Sequence, residues 1–99
     1  KGEIGGFIEN YDNLLDDAWV ADNAMIYGKA KISDNVKVSG IAKIHGRTHL
    51  ENDVRVHGDC DICGNINICG NINIFGRVKI SGAHVICGNG NICGDVNIK

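Results

Sequence analysis

An aliphatic residue recurs at every sixth position over most of this chain. From Val20 and Ile26 onward to Ile92 and Ile98, each sixth residue is Val, Ile or Leu, without exception. Two places after it stands Gly at 28, 40, 46, 58, 64, 70, 76, 82, 88 and 94, or Asp22, Asp34 or Asn52. These are the residue types that tolerate a positive φ. Two places before it stands a residue that is small or β-branched in most units, such as Ala18, Ala24, Ala30, Val36 and Val54, with His84 and Gly90 as exceptions. The places between are mostly polar. A helix repeats at 3.6 residues and a strand at 2, so a strict period of six with a turn residue in every unit predicts short strands joined by sharp corners. Within each hexad the first and third places point inward, and the second and fourth point outward.

Units such as Ala24-Met25-Ile26-Tyr27-Gly28-Lys29 and Ile66-Asn67-Ile68-Cys69-Gly70-Asn71 resemble the hexapeptide repeat of left-handed parallel β-helix proteins. The resemblance covers residues 18–99 and implies an all-β solenoid in which three hexads make one triangular coil, with about four and a half coils in all. At the usual strand spacing of roughly 4.8 Å this is a prism roughly 20 Å long. Glycine falls two places after the aliphatic residue rather than one, as in a prophage and bacterial subgroup of small proteins without transferase loops. Residues 1–17 lie outside the register and are expected to form an N-terminal cap, with Phe7, Ile8, Leu14 and Leu15 covering the open end. Its Gly5-Gly6-Phe7-Ile8-Glu9 stretch resembles an element that precedes the repeats in that subgroup. The register stops at Lys99 without a cap, so end-to-end pairing or a missing C-terminal portion is expected. The opening residue, Lys1 rather than Met, points the same way, to a trimmed chain.

Composition narrows the partners. In 99 residues there are 10 basic and 12 acidic side chains, a net charge of -2, with 5 % aromatic residues and no proline. That excludes a strongly basic nucleic-acid binder and an acidic solvating tail. No apolar run approaches the roughly 20 residues of a membrane span, and no leader-like segment opens the chain, so a soluble, cytoplasmic protein is expected. The five cysteines are odd in number, which favours reduced thiols over a disulfide framework. Cys69 and Cys87 stack one coil apart, within reach of a disulfide, and are likewise expected to be reduced.

Hexapeptide β-helices are best known as acyltransferases, in which a histidine acts as general base on an acyl-CoA substrate, usually between subunits of a trimer. The outward His45 and His57 are the candidates for that role; His49 is outward too, and His84 is an inward wall residue. No insertion breaks the register to wall off a pocket, so catalysis is the second reading and no cofactor is expected. The cysteines fall on different faces, Cys69 with Cys87, His45 with Cys63, and His57 with Phe75 and Cys93, so no metal site is expected. Lys31, Lys37 and Lys43 project from three different faces, leaving only Lys37 and Arg55 in one column, and direct nucleic-acid binding is not expected. With Thr48 the only threonine, ice binding is excluded.

What remains is surface. Outward positions turn from charged in the early coils to soft and apolar in the late ones: Cys69, Phe75, Val85, Cys87 and Cys93. Together with Lys37 and Arg55 these are the expected partner-binding residues. The first expectation is therefore a non-enzymatic protein-binding solenoid, homodimeric through its C-terminal coils. By resemblance to small phage-encoded hexapeptide proteins, it would be an anti-CRISPR-type inhibitor that docks sterically on a host defence nuclease. A third reading is a structural segment of a longer β-helical protein. The rows of asparagine at 65, 67, 71, 73 and 89 are expected to form stacked amide ladders and corners rather than a site.

Overall fold

The computed structural model describes residues 7–9 and 11–99. Within them the chain is a parallel β-helix of about five turns, with overall extents of 28 × 21 × 21 Å. Every strand pairing is parallel with an offset of 18 residues, as in Trp19↔Lys37, Lys43↔Asp61 and Asn67↔Val85 or its neighbour His49. Three faces result. The outward second places read Trp19, Lys37, Arg55, Asn73 and Asn91 on the first face. On the second they read Met25, Lys43, Asp61, Lys79 and Asn97. On the third they read Lys31, His49, Asn67 and Val85. Among the described residues no helix is long and apolar enough to cross a membrane.

The two inward places of each hexad fill the interior, and each one from Leu14 to Ile80 is buried, Thr48 included. Full burial of a Val, Ile or Leu side chain contributes about 1.5–3 kcal/mol, so the core is a stack of many similar increments rather than one aromatic cluster. All thirteen turn places of the register, plus Asp16, have positive φ. The corner carbonyls are bonded in two ways. Ala18, Ala24, Ala30 and Val36 donate their backbone N–H to the carbonyl three residues back. At His45 and His57 a side chain does so instead, the Thr48 hydroxyl at 2.8 Å and the Cys60 thiol at 3.2 Å.

Two expectations change. The register does not begin at Ala18: Phe7 and Ile8 pair with Met25 and Ile26, and Leu14 bridges to Ile32, each at the same offset of 18. Residues 7–9 and 11–17 are thus coiled onto the solenoid, with Leu14 in its core and the buried Asn13 amide donating to Ala30 O at 2.7 Å. The Gly5-Gly6 part of the expected cap lies outside the described residues. The second change is that Cys69 and Cys87, expected as reduced thiols, are joined in a disulfide. Their Cα atoms are 4.7 Å apart because they face each other directly across paired strands, inside the range a disulfide needs.

Candidate functional site

The outward partner residues expected from the sequence divide between two faces. Phe75, Cys93, Lys37 and Arg55 lie on the first, while Val85 and the Cys69–Cys87 disulfide lie on the third, across the corner at Gly70 and Gly88. Val85 is 73 % exposed, but its outward neighbours on that strand are Cys87 and Ala83, and the disulfide removes both of the thiols that were to act there.

The first face is the more coherent surface. Its two outward columns are Trp19, Lys37, Arg55, Asn73, Asn91 and Ala21, Ser39, His57, Phe75, Cys93, and neither contains a carboxylate. Trp19 is 41 % exposed and lies under Lys37, whose Nζ is 6.0 Å from its ring centroid. One coil further on, the His57 and Phe75 rings are stacked with centroids 5.1 Å apart and an interplanar angle of 3°. Asn73 Nδ2 donates to Asn91 Oδ1 at 3.2 Å, a rung of the expected amide ladder. Arg77 at the adjoining corner sits between Asp59 and Asp95 in its column, and the cations within the two outward columns of this face are Lys37 and Arg55.

The second face carries a different cluster. His45 Nε2 donates to Asp61 Oδ1 at 2.8 Å, and Tyr27 stacks on the His45 ring from the preceding coil, centroids 4.7 Å apart. Cys63 is a free thiol in the same column, and one donor atom from each of His45, Asp61 and Cys63 falls within 4.8 Å of the others. Beside it lies a shallow depression of about 360 Å³ lined by Lys43, Asp59, Asp61, Arg77, Lys79 and Asp95. Its charges alternate along each column, Lys43–Asp61–Lys79 and Asp59–Arg77–Asp95.

Of the two histidines considered as bases, His45 is thus paired to a carboxylate and His57 to a ring. His84, expected on the inner wall, has an Nε2 shut from solvent with no hydrogen-bond partner among the described residues. The buried Cys60 thiol is pushed above its ordinary value by desolvation, with a hydrogen bond from the backbone of Val78 opposing and the Asp59 charge adding to the rise. Trp19 and Asp61 were missed by sequence reasoning. Trp19 stands 18 residues before Lys37, a spacing that identifies it; Asp61 stands 16 after His45 and reaches it diagonally, which column counting overlooks.

Comparison with protein-family models, with curated proteins and with solved structures finds no match to this chain.

Proposed function

We propose that the chain is a non-enzymatic binding solenoid that docks its first face against an acidic patch of another protein. The observation that carries this is a flat sheet face with ten outward positions, no carboxylate, and Trp19, Lys37, Arg55 and the His57–Phe75 stack in adjacent columns. Trp, Arg and Phe are the types that anchor interfaces, and the cations select an acidic partner and steer its approach. Nucleic acid suits the face less. Two cations neutralise few phosphates, and His57 and Phe75 already cover each other's inner ring faces, which a base would need for stacking.

Within this class, the resemblance to phage-encoded hexapeptide proteins supports a nuclease of a host defence system as the partner, blocked sterically in the cytoplasm. The Cys69–Cys87 disulfide is on the third face, so this reading does not depend on its redox state. Phe75 and Cys93 belong to the C-terminal coils, and a homodimer formed there would compete for the same surface.

The test uses wild type, Arg55→Glu/Phe75→Glu and Val85→Glu as baits, with guided-nuclease cleavage and light scattering as readouts. Wild type and Val85→Glu are expected to bind the same partner and inhibit cleavage alike, while the first-face double variant loses at least about 100-fold in affinity, as loss of interface anchors does. Equal binding by all three proteins would sink the docking face. A partner bound by that face but with no nuclease activity would remove the finer reading and leave the coarser one.

A further inference from the structure

We propose that His45, Asp61 and Cys63 form a three-ligand site for a divalent transition-metal ion, with Zn²⁺ the best fit. The repeat builds the site. Asp61 lies in the strand Asp59–Ile62 and Cys63 follows its last residue, the two separated by the inward Ile62, so their side chains leave the same surface. His45 occupies the place of Cys63 one coil earlier. His45 and Cys63 each follow directly on one of two paired strands, Lys43–Ile44 and Asp59–Ile62, His45 N donates to Ile62 O at 2.9 Å, and Tyr27 holds the His45 ring plane by stacking on it.

Distances support the assignment. Zn²⁺ bonds of 2.0–2.3 Å in a tetrahedron put neighbouring donors about 3.3–3.8 Å apart. His45 Nε2 and Asp61 Oδ1, now 2.8 Å apart, must separate by about 0.5 Å, and donors up to 4.8 Å apart must close by about 1 Å. Small side-chain rotations achieve both and leave the strands in place. Imidazole nitrogen, carboxylate oxygen and thiolate sulfur are a borderline-soft set that suits Zn²⁺ and Co²⁺. Ca²⁺ and Mg²⁺ call for oxygen ligands throughout. Asp61 and the Cys63 thiolate together neutralise a 2+ ion. Lys43 and Lys79 flank Asp61 in its column and oppose the cation. Side-chain exposures of 26 % for His45 and 39 % for Asp61 leave the fourth coordination position open to solvent or a ligand.

The experiment is titration of the whole chain, thiols reduced where free, with Co²⁺ alone and then displacement by Zn²⁺. One equivalent of Co²⁺ is expected to give the intense visible bands of a tetrahedral ion and a thiolate-to-cobalt charge-transfer band, both lost on adding Zn²⁺. Cys63→Ser is expected to abolish the charge-transfer band, and both Cys63→Ser and His45→Ala to weaken binding at least about 100-fold, more than loss of an outer-shell partner. Cys93→Ser and His57→Ala are expected to leave the spectrum unchanged. Thermal unfolding without metal checks that each variant is folded; if His45→Ala is not, the near-isosteric Cys63→Ser still decides. A weak octahedral spectrum without a charge-transfer band, or a band that survives Cys63→Ser, would overturn the site.

Discussion

Up to Val56 the strands are two residues long, and Asp16, Asp22, Asp34 and Asn52 hold four of the corners; from Asp59 onward strands run four to ten residues and every corner is glycine. The backbone explains the division. Asp and Asn corners sit at φ between 58° and 69°, while the glycine corners from Gly58 to Gly94 sit between 83° and 118°. The lower values lie in the left-handed basin, which Asp and Asn can occupy. There the side chain stitches one coil to the next. Asp16 accepts from Asp34 N at 3.1 Å, Asp34 from Asn52 N at 3.0 Å, and Asn52 from Gly70 N at 3.1 Å. At the wider angles an L side chain is strained whatever the space around it, and at Gly70 and Gly88 the backbone closes up enough for the ladder to run through the corner. Asn65–Ile74 pairs with Ala83–Ile92 at all ten positions, Gly70↔Gly88 included. Side-chain stitching is added to a corner backbone bond that both halves keep, as in Asp17 N to Asp34 O at 3.1 Å and Arg77 N to Gly94 O at 2.9 Å.

Exchanging the two devices gives the largest expected effect. A Cβ at Gly70 would lie 2.1 Å from Gly88 O at φ +97°, whereas one at Gly28 would lie 3.2 Å from Gly46 N at φ +68°. Gly70→Asp is therefore expected to cost more than about 4 kcal/mol, in the range reserved for backbone strain and overpacking. Gly28→Asp is expected to stay within about 1 kcal/mol, because its carboxylate can accept the Gly46 N–H as Asp34 accepts that of Asn52. Urea unfolding of the two variants measures both; similar losses would show that corner angle does not separate the halves.

The solenoid was legible because its signals are periodic. The inward places, the positive-φ places and the coil length all repeat, and chance does not sustain a six-residue register over fourteen units. Phe7, Ile8 and Leu14 escaped because Asp12 breaks the apolar first place of the register just where the first turn ends. The 18-residue coil gives each outward column and the shared hexad gives its face, but Val85 and Phe75 were grouped by apolar character and late position, although they stand on different faces. The His45–Asp61–Cys63 cluster escaped because lateral neighbours on a sheet lie 16 or 20 residues apart, not 18. The disulfide was a question of redox state, on which spacing alone is silent.

A middle-sized effect tests whether the C-terminal pairing needs its covalent tie. The Cys69–Cys87 bond closes a loop with a sequence separation of 18, a length for which cross-linking contributes about 3 kcal/mol. Cys69→Ser/Cys87→Ser is expected to lose that amount. In a solenoid each coil is stabilised chiefly by its neighbours, so amide exchange should accelerate across Ala83–Ile92 and hardly change over residues 19–56. Reductant should reproduce the loss in wild type and add nothing to the variant. Uniform acceleration along the whole chain would show that the two halves unfold as one unit and that their corner chemistry is not separable.

The smallest effect concerns the boundary between the halves, where Cys60 bonds the His57 carbonyl with its thiol. Burial holds the thiol pKa above its ordinary 9.0, so the folded chain keeps this proton longer than the unfolded chain does. The sign follows from linkage: the contribution is complete below pH 9.0 and is lost as pH rises through the unfolded and then the folded pKa. Cys60→Ala removes the sulfur and its bond to the carbonyl, at a cost of about 1 kcal/mol near neutrality. The difference in stability between wild type and Cys60→Ala should therefore be constant from pH 6 to 8 and shrink above pH 9.0, while lysine and tyrosine titrations cancel in the comparison. A difference that grows with pH would mean that the thiolate is the better-held form, and that the boundary corner opens to solvent instead of closing around a buried thiol.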